Sequence, residues 1–347
     1  MNAKRLGTQT VRFTSPPSIV GSGNVVGKKE GEGPLKDSFD AIDTDTLFGQ
    51  KTWEKAESEM QRRALTVALD KAGVSTSEVQ YLFGGDLLNQ CIATSYNIKN
   101  SGIPFFGLYG ACSTMAESLA LAAMAIDGGY ASRTAAITSS HFSTAERQYR
   151  APLSYGSQRT PSAQWTATAA GAVILSAAGK GPYVKAHTTG CVVDMEIKDA
   201  NNMGAAMAPA AYDTLSAFFA DTGLKPSDLD LVLTGDLGRV GASVLTELFK
   251  MDDVDLEPYY NDCGLLLFDS ADQDVHAGGS GCGCSAAVFT GHILNSMRAG
   301  KLNRVLFAAT GALHSPTALQ QGGTIPGICH AVLLENFKEE RYALDLC

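Results

Sequence analysis

The chain carries the same α/β unit twice, and this repetition limits its fold more than any other feature. Gly73-Val74-Ser75-Thr76-Ser77-Glu78-Val79, followed by Gly84-Gly85-Asp86-Leu87, has a second copy. It returns without a gap as Gly223-Leu224-Lys225-Pro226-Ser227-Asp228-Leu229, followed by Thr234-Gly235-Asp236-Leu237. Each copy reads as a helix, a glycine that ends it in the left-handed region, a turn, and an apolar run of strand length. The pattern predicts helices over about 53–72, started by Thr52, and about 209–222, started near Pro209. A second pair follows in the same order. Gly110-Ala111-Cys112-Ser113 heads an Ala/Leu-rich helix that ends at Gly129 and leads through Arg133 into a strand over 134–138. Gly281-Cys282-Gly283-Cys284 heads a helix that ends at Gly300 and leads through Arg304 into a strand over 305–309. Apolar strands at 171–175 and 330–334 close the two copies. Three ordered pairs leave no room for chance repetition.

Strand–helix alternation implies an α/β fold with a mainly parallel sheet covered by helices in each half. The halves are expected at 51–185, with an irregular insert at 141–168, and at 186–347; residues 1–50 form an N-terminal extension outside the repeat. Two tandem halves, with a cysteine where the apolar strand 104–108 turns into a helix, resemble the thiolase superfamily. That resemblance implies a thiolase-like fold with Cys112 in the nucleophile position.

Composition excludes several functions. The formal charge is −9, and no Lys/Arg block is dense enough to follow a phosphate backbone, so no nucleic-acid partner is expected. No stretch approaches the roughly 20 apolar residues of a membrane span, and the N-terminus lacks the apolar run of a signal peptide, so a soluble intracellular chain is expected. The eight cysteines form no repeated CxxC pair, so neither zinc nor another metal or cofactor is expected.

A thiol at a helix N-terminus feels a partial positive charge that favours thiolate, and the exposed N–H groups there suit a carboxylate or oxyanion. Condensation also needs a base and oxyanion donors. Ketoacyl synthases of the third type place a histidine after the strand matching 231–233. This chain reads Thr234-Gly235-Asp236-Leu237-Gly238 there, with no histidine. Their asparagine falls at Gly283, and the thiolase histidine falls at Ser285. His276 and His330 lie near these loops and are the histidines in place to substitute. Cys112 is therefore expected to be a vestigial nucleophile. The alternative is a condensing or thiolytic enzyme acting on acyl thioesters through Cys112.

Longer strings carry a closer resemblance: Gly21-Ser22-Gly23-Asn24-Val25-Val26-Gly27, Phe48-Gly49-Gln50-Lys51-Thr52-Trp53-Glu54, Gly84-Gly85-Asp86-Leu87-Leu88-Asn89-Gln90, Tyr109-Gly110-Ala111-Cys112-Ser113-Thr114, and 148–166. With these the chain resembles the stage V sporulation AD family, thiolase-like proteins of spore-forming bacteria. The resemblance implies binding of dipicolinic acid (pyridine-2,6-dicarboxylate), bare or as its Ca²⁺ chelate, and a part in its uptake into the developing spore. It also implies membrane-protein partners from the same operon and a peripheral place at the forespore or spore inner membrane. A flat aromatic dianion needs cationic or N–H donors and an apolar wall. The expected ligand-binding residues are Cys112, Trp165, Thr166, Arg150, Arg147, Ser280 and His276, with Arg159, Tyr149 and Tyr155 nearby in the insert. A homodimer is expected through strand 104–108, because the superfamily pairs subunits there and an uncharged edge would otherwise invite aggregation.

Overall fold

Turn chemistry sets the element boundaries in the computed structural model, which describes residues 4–149 and 159–337. The helix Trp53–Ala72 starts where the Thr52 hydroxyl accepts the Lys55 N–H, and it ends at Gly73 with φ of 63°. Its second copy runs Met203–Thr222 and ends at Gly223 with φ of 70°. The expected start near Pro209 is corrected, since Pro209 lies inside this helix. The cap is Asn202, whose side chain accepts the Ala205 N–H, and buried Ala206, Met207 and Ala208 hold the added turns in the core.

The ten main strands form two sets of five. The first comprises β1 (Ser18–Val26), β2 (Tyr81–Asp86), β3 (Phe105–Gly107), β4 (Arg133–Ser140) and β5 (Ala169–Ser176). The second comprises β6 (Tyr183–Thr189), β7 (Leu231–Thr234), β8 (Tyr260–Asp262), β9 (Arg304–Ala312) and β10 (Gly327–Glu335). Spatial order is β3-β2-β4-β5-β1 in one set and β8-β7-β9-β10-β6 in the other, so the repeat extends to topology. In each set the first four strands in the chain run one way and only the last is reversed. One direct pairing, Ser18 with Tyr183, joins the sheets. Residues 18–26 thus form the first strand of the first half, which corrects the expectation that 1–50 lies outside the repeat. Likewise β6 crosses the expected boundary at 185/186. The insert also holds regular structure, the helix Phe142–Tyr149.

The two cysteine-headed helices lie between the sheets. Thr114–Asp127 packs on β4 and β2 of its own half and on β10 and β9 of the other. Cys282–Val288 packs on β5 and β4 of the first half so closely that a Cβ on Gly171 would sit 2.7 Å from the Ala286 carbonyl oxygen. One core, including Leu119, Val173, Phe289, Phe307 and Val332, fills this layer. The β3 edge is left open. Phe106 stacks on Phe83 at 5.1 Å yet is 52% exposed, and Tyr109 is 50% exposed. No helix among the described residues is long and apolar enough to cross a membrane.

Candidate functional site

The carboxyl ends of the parallel strands meet where the halves abut, the usual place for ligands in α/β sheets. Cys112 sits there in the short turn Ala111–Ser113 between β3 and the helix Thr114–Asp127. The turn is sharp, with Ala111 at φ of 51°, a conformation few residues other than glycine adopt. Across from it Asp236, fully buried just beyond β7, gathers donors. It accepts the Gly281 N–H at 2.7 Å and the hydroxyls of Thr310 and Ser280 at 3.2 and 3.3 Å.

Burial reverses the expected chemistry of Cys112, and Asp236 adds to it. Burial, and then the charge of Asp236, push the thiol well above its ordinary pKa, so the expectation of a helix-stabilised thiolate is corrected. Asp236 itself rises to about 6, mainly through burial, while the thiol and the Gly281 N–H pull it back.

A narrow cavity opens over Cys112. Leu87, Ala145, Met203, Met207 and Ala312 form its apolar wall; Thr166, Ser280, Glu146, Tyr149 and His314 supply the polar groups. Of the residues expected to bind ligand, it brings together Cys112, Thr166 and Ser280. Trp165 precedes Thr166 on the short strand Trp165–Thr166, and neighbours on a strand face opposite ways. It stacks on Phe142 at 4.0 Å beneath the Lys29 ammonium at 3.9 Å, outside the wall. Arg147 also points away, to an ion pair with Glu54 and the face of Trp53. His276 is not in the wall either; its Nε2 lies 3.4 Å from Asp274. His330, on β10, accepts the Gly190 N–H at 3.3 Å, and burial lowers its pKa to about 4. Arg150 and Tyr155 lie outside the described residues.

Sequence reasoning missed Asp236, Glu146 and the two methionines. One signal for Asp236 was present, because Gly235-Asp236 repeats Gly85-Asp86. Asp86 is equally buried in the first half, accepting the Leu88 and Thr94 N–H groups at 2.9 and 2.8 Å and the Thr94 hydroxyl at 2.6 Å. Beside it Glu57 accepts hydroxyls from Ser139 and Thr144, both at 2.8 Å. Burial and the charge of Asp86 raise Glu57 to about 8. Among the described residues, no group of three or more His, Cys, Asp or Glu is arranged to hold a metal ion.

Comparison with known proteins agrees with this geometry. The profile of the family described as stage V sporulation protein AD matches residues 7–335. Stage V sporulation protein AD of Bacillus subtilis is 44% identical over 332 residues, covering 96% of this chain and 98% of the relative. Among solved structures, 3-oxoacyl-[acyl-carrier-protein] synthase III of Aquifex aeolicus superposes with a TM-score of 0.56 at 14% identity, covering 92% of this chain and 99% of that one. OleA of Xanthomonas campestris, in one of its single-residue variants, gives 0.60 at 14% identity, covering 93% and 99%. At that identity the likeness establishes a thiolase-like fold and nothing about activity.

Proposed function

The chain belongs to the stage V sporulation protein AD family, and from that footing we propose that it binds dipicolinic acid without catalysis, in the cavity over Cys112. In the same reading it takes part in dipicolinate uptake into the developing spore, alongside membrane proteins of the same operon at the forespore membrane. The observation that carries the non-catalytic reading is the missing pair of partner groups: the end of β7 and the loop after it read Thr234-Gly235-Asp236-Leu237-Gly238 without a histidine, and Gly283 stands at the condensing enzymes' asparagine. An acyl-transfer nucleophile needs a neighbour that draws off its proton and donors that stabilise the oxyanion, the roles the histidine and asparagine fill in the condensing enzymes. The cavity supports the binding half of the reading. Its apolar side suits a pyridine ring, and the Thr166 hydroxyl and His314 imidazole are donors for carboxylates.

The test is calorimetric titration with dipicolinate, with and without Ca²⁺, beside intact mass measurement after incubation with acyl-CoA. Saturable one-site binding and no acyl adduct on Cys112 are expected. An adduct that turns over at an ordinary enzymatic rate would restore the condensing-enzyme reading, because loss of a nucleophile's partners normally costs several orders of magnitude.

A homodimer through β3 belongs to the same proposal. The open edge with exposed Phe106 is an aggregation liability unless a second copy covers it. Sedimentation at micromolar concentration should show a dimer, and Phe106→Lys should shift it to monomer. A wild-type monomer at that concentration counts against the pairing.

A further inference from the structure

The cavity presents a charge problem for an anionic ligand. Among the described residues of its wall there is no lysine or arginine, and there is one carboxylate, Glu146, on the helix Phe142–Tyr149. Glu146 is directed at Arg159, whose Nη1 lies 3.6 Å from Glu146 Oε1, and the two side chains are only 9% and 20% exposed. Arg159 is fixed from behind. Its Nη2 donates to the Gln164 carbonyl oxygen, and its guanidinium lies 5.2 Å from the Trp165 ring centre and 5.9 Å from that of Phe142. Gln164 is itself anchored, its amide donating at 2.7 Å to the carbonyl oxygens of both Asp236 and Gly279. The strand that follows, Trp165–Thr166, pairs with Gly279–Ser280 along the cavity. The guanidinium is thus held in place one side chain behind the cavity wall, with Glu146 between it and the space.

We propose that Glu146 is a built-in competitor, occupying at Arg159 the place that a carboxylate of the bound ligand takes. The inference rests on the reading of the cavity as a dipicolinate site. It adds that Arg159 is the recognising cation and that Glu146 holds affinity down. Glu146 meets the guanidinium through a charge contact at 3.6 Å, and a ligand carboxylate seated on the guanidinium competes with it for the same cation. An incoming dianion therefore displaces Glu146 and also meets its charge in a space where screening by water is weak. Such a site captures ligand and still lets it go, as a carrier must.

The experiment is calorimetric titration of dipicolinate at low ionic strength into the wild-type protein, Glu146→Gln, Glu146→Ala and Arg159→Gln, each checked by its melting curve. Glu146→Gln and Glu146→Ala should bind about 10-fold more tightly, a gain of roughly 1.4 kcal/mol, and Arg159→Gln at least about 10-fold more weakly. Both effects should shrink in high salt. Binding that is unchanged or weaker in folded Glu146→Gln overturns the inference while leaving the dipicolinate reading intact. A loss seen only with Ca²⁺ also overturns it, by making Glu146 a ligand of the chelated metal. Binding by Glu146→Gln alone, with none by wild type, supports it, and absence of binding in all four proteins overturns both readings.

Discussion

Thr166→Phe is expected to weaken dipicolinate binding about 100-fold or more while leaving the protein folded. Thr166 is the one residue of its short strand that faces the cavity, and it is 6% exposed. A benzyl group there points into the cavity, and its overpacking cost falls within about 1–3 kcal/mol. On the far side, Gly281 leaves no room for the new ring to retreat, since a Cβ at Gly281 would already lie 3.2 Å from Thr166 Cγ2. The ring must then occupy the volume assigned to the pyridine, in a cavity whose wall includes Met203 and Met207. Cys112→Trp blocks the same space from the opposite wall and should behave alike. Arg62→Gln, which removes only an exposed pair with Glu59, should bind as wild type. Titration and thermal melting of the three variants decide the matter. Undiminished affinity in a normally melting Thr166→Phe protein would place the ligand elsewhere.

Stability is expected to fall as pH rises from about 6.5 to 8.5, by a few kcal/mol. The cause is a set of carboxyl groups that stay protonated in the fold. Burial raises Glu30 to about 7, and burial with the charge of Asp86 raises Glu57 to about 8. In the unfolded chain both are ionised above about 4.5. Between the unfolded and folded values the native state binds protons that the unfolded state has released, so their stabilisation is present below about 4.5 and lost through 7 and 8. Two histidines act in the opposite direction at lower pH. Burial lowers His187 and His330 to about 4, so the folded protein loses stability as pH falls from about 6.5 toward 4. The two effects oppose one another up to about 6.5; above it the carboxyls lead, and near pH 8.5 the buried thiols, raised from their ordinary value, add a loss of the same sign. Each fully titrating group then contributes a slope of up to about 1.4 kcal/mol per pH unit.

Glu57→Gln should remove much of that slope. Its oxygen can still accept the Ser139 hydroxyl, and Thr144, which also donates to the His141 carbonyl at 2.9 Å, is free to accept the new amide. Denaturant unfolding at pH 6.5, 7.5 and 8.5 measures the effect. A wild-type curve that is flat across this range, or a Glu57→Gln curve parallel to it, contradicts the assignment.

The doubled fold is legible in the sequence because it is written in local chemistry: glycines that end helices, turns of fixed length, and apolar runs. Strand β1 is not legible by that route, since its partner copy β6 shares none of the glycine pattern and the two correspond only in sheet position. The site is harder for the same reason. A helix N-terminus beside Cys112 can be read from residues 110–114, whereas the burial that outweighs it, and the charge of Asp236 that adds to it, come from packing against the other half of the chain. Trp165 and Arg147 have residue types suited to an aromatic dianion. Their direction depends on strand alternation and helix phase, which leave Thr166 and Glu146 facing the cavity instead.

The interleaving of the two cysteine-headed helices has a consequence for biosynthesis. The β5 side of the first sheet's inner face is covered by the helical segment that begins at Cys282 and ends at Arg298, roughly 120 residues later in the chain, while Thr114–Asp127 covers the β2 side. At about 5–20 residues per second the ribosome needs roughly 6 to 24 seconds to supply that cover. During this interval the nascent first half shows an apolar sheet face to the cell and stays a ward of the chaperones until its own second copy emerges.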